Sequence, residues 1–304
     1  MTGSIAYALL LLLVPAGAAA AVLPLEEVAP GLYVHVGPHE DFTPENRGGI
    51  ANLAFVVGRE AVAVIDAGGS PAIGRDWLET VRARTDRPVR WLILTHVHPD
   101  HVLGAGAFAE AGAVIVGHER LAEALAARAP AYVANMRQLL GAIFEEPQLP
   151  AVGRRVAIGS PLTLDLGDRV LEVAAWPTAH TDTDLTVLDR ASGTLLAGDL
   201  LFVERLPVVD GSLVGWIDAM SALERIPARR AVPGHGPAAV AWPQALAPQR
   251  AYLEGLKQAV RELVRRGTPL SNAVASVPAP TGWQLVEPNH GRNVTAAYVE
   301  LEWE

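Results

Sequence analysis

The feature that most constrains this chain is the stretch THVHPDH at residues 95–101. It follows the apolar run WLIL and places His96, His98, Asp100 and His101 close together. Four such side chains would be poor core material, because each needs a polar partner or loses its hydration at a cost in free energy. All four carry atoms that can bind a metal. A surface loop with a helix-capping aspartate is the alternative, and a metal site would need further ligands elsewhere.

Three more potential ligands lie just beyond separate runs of β-type residues. They are His180, Asp199 and His235, and the run before Asp199 predicts a strand over 194–197. Binding sites of open α/β sheets commonly form at the ends of strands, so we expect these side chains to approach 95–101. The glycines on either side of His235 give the backbone room to turn and to aim the imidazole inwards.

The pattern of apolar residues predicts a mixed α/β chain. Two apolar β-type runs joined by a short turn predict a β-hairpin over 52–69, and helical periodicity predicts helices over 72–85, 217–226 and 244–266. Two halves rich in βα units follow one another without a convincing linker. That order is typical of a four-layer sandwich with two sheets inside and helices outside. We therefore predict one domain over residues 21–304.

Composition argues against several classes of function. The formal net charge is −9, the isoelectric point is near 5.5, and no long run of basic residues is present. These values argue against binding to nucleic-acid phosphates or to an anionic membrane surface. The chain has no cysteine. Disulfides and thiolate nucleophiles are therefore excluded, and any metal must be bound by histidine and carboxylate side chains.

The residue pattern of positions 1–20 predicts a secretory signal peptide. Residues 5–14 are continuously apolar, Pro15 follows, and small residues end in Ala-x-Ala spacing at Ala18 and Ala20. The apolar run is short for a membrane span, which favours cleavage near Ala20 over retention as an anchor. An exported chain without cysteine fits a bacterial periplasm. We therefore expect a periplasmic protein with no stable membrane insertion after cleavage.

The ordered set THVHPDH, a lone histidine, GD and PGHG resembles the metallo-β-lactamase superfamily of metal-dependent hydrolases. VIDAGG at 64–69 resembles an early strand motif of the same family. The resemblance implies an αββα sandwich with a two-metal site between the sheets. It also implies how the ligands are shared: His96, His98 and His180 on the first metal, Asp100, His101 and His235 on the second, and Asp199 bridging both.

Within the superfamily, the chain resembles the glyoxalase-II-like branch. Asp199 stands where zinc β-lactamases that hydrolyse antibiotics often have a cysteine, and the branch mostly cleaves thioesters, esters and lactones. The stretches 35–58, 205–216 and 293–304 resemble, more narrowly, periplasmic metallohydrolases associated with quinoprotein-relay or sulfur-oxidation systems. A partner from a periplasmic redox system is therefore an additional expectation.

The ligand set predicts a hydrolase with two divalent ions. Two such ions lower the pKa of a shared water from about 16 towards neutrality, and the resulting bridging hydroxide attacks a carbonyl carbon. We expect a small-molecule ester, thioester, lactone or amide as substrate, with Asp100 orienting the hydroxide. Zinc is the first choice because imidazoles dominate the set. Iron and manganese also accept mixed nitrogen and oxygen ligands.

Three other functions stay open at this point. They are an iron-dependent persulfide dioxygenase on the same fold, a β-lactamase, and a non-catalytic metal-binding accessory protein of a redox system. Asp199 together with His235 favours two metals over one iron, and a pure scaffold has no need of open coordination positions. His118, His290 and the loop 38–49 either approach the pocket or have structural roles.

Overall fold

A computed structural model describes residues 21–304, so the predicted signal peptide lies outside the described residues. One sheet has seven strands that lie side by side in chain order. They are β1 (Glu26–Ala29), β2 (Leu32–His35), β3 (Leu53–Val57), β4 (Val62–Ile65), β5 (Val89–Ile93), β6 (Val114–His118) and β7 (Arg154–Val156). Neighbours are antiparallel from β1 to β4 and parallel from β4 to β7.

The other sheet has six strands in the order β13-β12-β11-β10-β9-β8. They are β8 (Leu162–Asp165), β9 (Val170–Ala175), β10 (Leu185–Asp189), β11 (Thr194–Phe202), β12 (Arg230–His235) and β13 (Val240–Ala241). The pair β11 and β12 is parallel, and the other neighbours are antiparallel.

Helices cover the outer faces of both sheets. They are α1 (Pro71–Arg84), α2 (Pro99–Val102), α3 (Ala105–Glu110), α4 (Leu121–Leu140), α5 (Leu213–Leu223), α6 (Leu246–Arg265), α7 (Leu270–Ser276) and α8 (Asn289–Leu301), with a short 3₁₀ turn at Gly141–Ile143. Across residues 21–304, every helix is too short or too polar to cross a lipid bilayer.

The apolar core is divided into three layers. The central layer joins the two sheets, with Val56 and Ile93 of the first sheet and Val173 and Leu196 of the second in one buried cluster. Each fully buried side chain of this size contributes about 1.5–3 kcal/mol. A second layer lies between the first sheet and α1, α3 and α4, and a third between the second sheet and α5, α6 and α8. The predicted four-layer αββα sandwich is confirmed.

Two elements differ from their predicted bounds. The helix predicted over 217–226 is α5 and begins earlier, because Ser212 caps it by accepting a hydrogen bond from the amide of Gly215 at 2.8 Å. The strand predicted to stop at 197 continues as β11 to Phe202. Its pairing with β12 is irregular around Gly198, which has a φ of +52°. This irregularity lets the strand continue through Asp199.

Candidate metal centre

The predicted ligands meet at one edge of the sandwich. Residues 95–101 follow β5, and His180 lies in the connection between β9 and β10. Asp199 lies within β11, and His235 is the last residue of β12. These elements surround a cleft of about 420 Å³. A larger groove of about 640 Å³ runs along α4 and contains none of these histidines.

The side chains form two compact groups. In each group the potential ligand atoms all lie within 4.8 Å of one another. The first group contains His96, His98, His180 and Asp199, and the second contains Asp100, His101 and His235. The two groups contain all seven predicted ligands, with Asp199 in the first group, and fit a dinuclear metal centre.

Asp199 lies between the two groups. Its Oδ2 is 3.4 Å from Nε2 of His180 and 3.4 Å from Nε2 of His235, and its Oδ1 is 3.2 Å from Nε2 of His101. Oδ2 is also 3.7 Å from Nε2 of His96. Oδ2 of Asp100 is 3.2 Å from Nε2 of His235, inside the second group. One carboxylate thus contacts imidazoles of both groups.

Asp66 fixes which ring nitrogens of two histidines carry hydrogen. Its buried carboxylate accepts hydrogen bonds from the amide and hydroxyl of Thr95, at 2.7 and 2.8 Å. Since that hydroxyl hydrogen goes to Asp66, the Thr95 oxygen accepts from Nδ1–H of His96 at 3.0 Å. Asp66 also accepts from Nδ1–H of His101 at 2.8 Å. In the neutral form of both imidazoles, Nε2 therefore keeps a lone pair that faces the centre.

His98 and His180 are oriented from outside the centre by two oxygens. Asp210 accepts from Nε2–H of His98 at 3.0 Å, and the carbonyl of Val208 accepts from Nδ1–H of His180 at 2.7 Å. The two remaining nitrogens, Nδ1 of His98 and Nε2 of His180, lie 3.0 Å apart. When both rings are neutral, both nitrogens present lone pairs and neither donates to the other. A cation between them would relieve this repulsion.

His235 is held from outside the centre at Nδ1, which is 3.2 Å from the carbonyl of Ile50 and 3.0 Å from Nη1 of Arg205, while Nε2 faces Asp100 and Asp199. When Nε2 binds a cation, Nδ1 carries hydrogen and the carbonyl of Ile50 is the group that can accept it. Within residues 21–304, three buried atoms of the centre have no hydrogen-bond partner: Nε2 of His96, Nε2 of His101 and Oδ1 of Asp199. Buried polar atoms are rarely left unpaired. This donor set of imidazole nitrogens and carboxylate oxygens fits divalent metal ions.

The pKa values of the imidazoles follow from burial and from mutual repulsion. Burial lowers the pKa of His180 to about 3, and the neighbouring His98 adds to this effect. Burial likewise holds the pKa of His96 well below its usual range, with a further contribution from His101. Both rings are therefore neutral at pH 7, which is the form that binds a metal.

His101 is the exception because it faces carboxylates. Burial lowers its pKa, but Asp199, Asp100 and Asp66 outweigh burial and raise the pKa well above its usual value. Burial also raises the pKa of Asp199, but the surrounding imidazoles, above all His235, bring it well below its ordinary range. A proton on His101 thus balances the carboxylates when no cation is present, and a divalent ion would displace it.

Two glycines make room for side chains of the centre, Gly234 for Asp199 and Gly198 for Thr95. A Cβ atom on Gly234 would lie 1.8 Å from Oδ1 of Asp199, and a Cβ on Gly198 would lie 2.8 Å from Cβ of Thr95. Gly198 also has a left-handed φ of +52°, which favours glycine. We predicted that Gly234 gives the backbone room to turn. In the structure it also leaves space for the carboxylate of Asp199.

Further residues form the walls of the cleft. Arg205 and Arg292 line it, with Asn289 at the start of α8. From the loop 38–49, Asp41 and Phe42 reach the cleft. Asn293 does not line it. The Asn293 side chain binds the backbone of the neighbouring loop, accepting from the amide of Val209 and donating to the carbonyl of Pro207.

Other polar residues considered from the sequence have structural contacts. His118 hydrogen-bonds the carbonyl of Trp176, and His290 hydrogen-bonds the hydroxyl of Tyr252. Asp184 accepts from the amide and hydroxyl of Thr181, and burial raises the Asp184 pKa to about 7. Asp210, by contrast, is a contact of the centre that the sequence analysis missed. Its only signal was its place in the loop after β11.

Comparison with known protein families identifies the class. The family model of the metallo-beta-lactamase superfamily matches residues 46–235, which include every predicted ligand. The chain therefore belongs to this superfamily, whose members are metal-dependent hydrolases. A search of curated protein sequences gives no match.

Solved structures with the same fold include three with different descriptions. The stereoselective inverting sec-alkylsulfatase Pisa1 from Pseudomonas sp. is 19% identical, with a TM-score of 0.68. The alignment covers 91% of this chain but only 50% of the sulfatase. A metallo-beta-lactamase family protein from Thermus thermophilus is 23% identical over 91% of this chain and 94% of its own, with a TM-score of 0.66. A metallo-beta-lactamase from Pontibacter korlensis is 21% identical over 76% and 99%, with a TM-score of 0.60. At such low sequence identities, the similarity to these three proteins shows a shared fold and no more.

Proposed function

We propose that residues 21–304 form a single dinuclear zinc hydrolase domain that cleaves an ester, thioester, lactone or amide. His96, His98 and His180 would hold one ion, and Asp100, His101 and His235 the other, with Asp199 contacting both. The observation that carries this proposal is that one nitrogen of every imidazole faces the centre. Hydrogen bonds outside the centre occupy one nitrogen of every imidazole and leave the other aimed inwards.

When bound, two divalent ions lower the pKa of a water that they share and polarise the acyl oxygen of a substrate. The chain's own residues would position the reactants. Asp100 lines the cleft, and its carboxylate would accept a hydrogen bond from the attacking water and orient it. Asp199 spans both groups and would keep the two sites at a fixed separation. Phe42 and Phe202, which line the cleft, would limit the access of bulk water.

Turnover by protein of defined metal content tests the proposal. The protein would be stripped with a chelator, reloaded with zinc, and assayed with esters, thioesters, lactones and amides. A secondary alkyl sulfate belongs in the panel, because one protein of similar fold is a sec-alkylsulfatase. We expect hydrolysis that requires zinc and that falls by about 10²–10⁴ in Asp100→Asn. The exposed Asp86→Asn is the matched control and should keep full activity.

Three outcomes would favour the other functions. One iron per chain with consumption of oxygen would indicate the dioxygenase. Rapid cleavage of a chromogenic cephalosporin, with no turnover of other substrates, would indicate a β-lactamase. A zinc-loaded protein that turns over nothing, and whose Asp100→Asn variant keeps its biological role, would indicate an accessory protein of a redox system.

Export to the periplasm is part of the proposal. It includes cleavage after Ala20, and the buried carboxylate of Asp76 supports that cleavage site, because Oδ1 of Asp76 accepts a hydrogen bond from the backbone nitrogen of Ala21 at 2.8 Å. Cleavage after Ala20 would turn that nitrogen into an ammonium group, and a charged donor strengthens such a bond. The intact mass of the exported protein tests this: we expect a chain that starts at Ala21, and a retained 1–20 segment would contradict it.

A further inference from the structure

Arg205 is a buried cation in the wall of the cleft. The residue is 7% exposed, and its backbone is held by a bridge to Gln284. Among residues 21–304, no carboxylate lies within ion-pair distance of its guanidinium, and its buried Nε has no hydrogen-bond partner. A buried charge is strongly unfavourable unless an opposite charge or hydrogen bonds compensate it.

Among the described residues, the one side-chain hydrogen bond of this guanidinium is incompatible with a loaded metal centre. Nη1 of Arg205 is 3.0 Å from Nδ1 of His235, which is also 3.2 Å from the carbonyl of Ile50. When Nε2 of His235 binds a cation, Nδ1 carries hydrogen and donates to Ile50. Nδ1 then cannot accept a hydrogen bond from Arg205. Loading of the centre thus frees the donors of Arg205 for another acceptor.

A second cation lies at the entrance of the same cleft. Arg292 lines it, is exposed, and makes no ion pair among the described residues. Arg292 is in the first turn of α8, a helix of 13 residues whose N-terminal end, with Pro288 and Asn289, also lines the cleft. The N-terminus of a helix carries partial positive charge. Asp41 is the one acidic lining residue outside the predicted ligands, and it is exposed.

We infer that this cleft binds a substrate that carries a carboxylate, which Arg205 holds in the wall and Arg292 attracts at the entrance. The guanidinium of Arg205 presents a planar fork of donors that matches a carboxylate, and its single charge balances a monoanion. This inference rests on the proposed hydrolase function and specifies its substrate class. The hydrolysed bond would lie beside Asp100 and Asp199, with the carboxylate on the side of Arg205.

A matched pair of substrates tests the inference. The 4-nitrophenyl monoester of adipic acid ends in a carboxylate, and its terminal amide is a neutral counterpart of nearly the same shape. We expect zinc-loaded protein to prefer the acid by at least about tenfold in kcat/KM. Arg205→Met should abolish the preference, Arg292→Met should reduce it, and the exposed Arg265→Met should leave it unchanged. A wild-type protein with equal kcat/KM for both esters would overturn the inference.

Two further measurements keep the inference testable. An ester ending in sulfonate separates a carboxylate subsite from a general oxyanion site, and equal preference for sulfonate would overturn the carboxylate assignment. If Arg205→Met lowers the rates of acid and amide equally, Arg205 only positions His235, and that result also contradicts the inference. Zinc content and thermal unfolding show whether Arg205→Met still folds. If it does not, Arg292→Glu, a substitution at an exposed site, takes its place in the test.

Equilibrium binding separates this inference from the hydrolase proposal. Calorimetry with adipate and with neutral adipamide needs no turnover. Binding of adipate that weakens about tenfold in Arg205→Met, in a zinc-loaded protein that hydrolyses nothing, would leave the anion site standing and would reject the hydrolase. If the protein hydrolyses its substrates but Arg205→Met does not change adipate binding, the hydrolase proposal stands and the carboxylate site is rejected.

Discussion

Oδ2 of Asp66 lies 2.8 Å from Nδ1 of His101, and both side chains are buried. The carboxylate can only accept there, so Nδ1 carries hydrogen, and in the neutral ring the lone pair of Nε2 faces the second group of candidate ligands. Asp66 has a left-handed φ of +61°, a conformation that asparagine also tolerates. The VIDAGG segment thus supports the metal centre without contributing a ligand.

Asp66→Asn should weaken the second metal site while the fold is kept. An amide offers one acceptor oxygen where Asp66 serves Thr95 and His101 together. We expect zinc affinity at the site of Asp100, His101 and His235 to fall by about 10–100-fold. Competition with a chromogenic chelator measures it, with Asp86→Asn as control. Unchanged affinity for both zinc ions would contradict the role of Asp66.

Asp210→Ala should affect the other site. Asp210 accepts from Nε2–H of His98, and this contact lowers the pKa of Asp210 to about 2. Its side chain is half exposed, so we expect a smaller effect, about tenfold in affinity for the first zinc ion. Cobalt substitution would report the two sites separately by absorption. Asp218→Ala is the control, because Asp218 is also exposed but lies on the outer helix α5, and it should not change zinc affinity. An equal loss of zinc affinity in both variants would contradict the role assigned to Asp210.

Gly234→Ala should displace Asp199. The added Cβ would meet Oδ1 of Asp199 at 1.8 Å and the backbone of Gly198 at 2.8 Å. We expect a loss of about 1–3 kcal/mol in the free energy of unfolding, together with loss of metal from both sites. Gly255→Ala in α6 is the matched control, because nothing lies within 4 Å of its added Cβ. It should stabilise the protein by about 0.5–1 kcal/mol. Tight zinc binding by Gly234→Ala would contradict the role assigned to Asp199.

Asp76→Asn should destabilise the protein without changing its metal content. Oδ1 of Asp76 accepts from the nitrogen of Ala21, and Oδ2 accepts from Nη2 of Arg47 at 2.6 Å. Because Asp76 is buried and Arg47 only partly so, we expect a loss of about 1–3 kcal/mol in chemical denaturation. Asp86→Asn should lose nothing. The loss of stability in Asp76→Asn should be larger in a chain that starts at Ala21 than in one that retains residues 1–20. An equal loss in both chains would contradict the proposed contact of Asp76 with a free amino terminus.

The ligands could be read from the sequence because each lies at the end of an apolar run, and because their order along the chain is specific. The start of α5 could not be predicted, because its N-cap Ser212 lies in a segment whose sequence is typical of a loop. Gly198 and Asp199 read as a turn, whereas the irregular pairing of β11 keeps them in a strand.

The supporting residues needed the tertiary structure. Asp210 contacts His98 across 112 positions of the chain, and Asn293 contacts Val209 across 84. No local periodicity reports such contacts. The place of Arg205 in the segment after Asp199 suggests a pocket wall, but only burial without a carboxylate partner distinguishes Arg205 from the other arginines.

The stoichiometry of zinc binding tests the two-ion centre most directly. Metal-free protein would be titrated with zinc and analysed for metal after dialysis. We expect two ions per chain, both lost on substitution of Asp199 by alanine. A wild-type protein that takes up no zinc, or that saturates at one ion with Asp199→Ala unaffected, would contradict the centre described above.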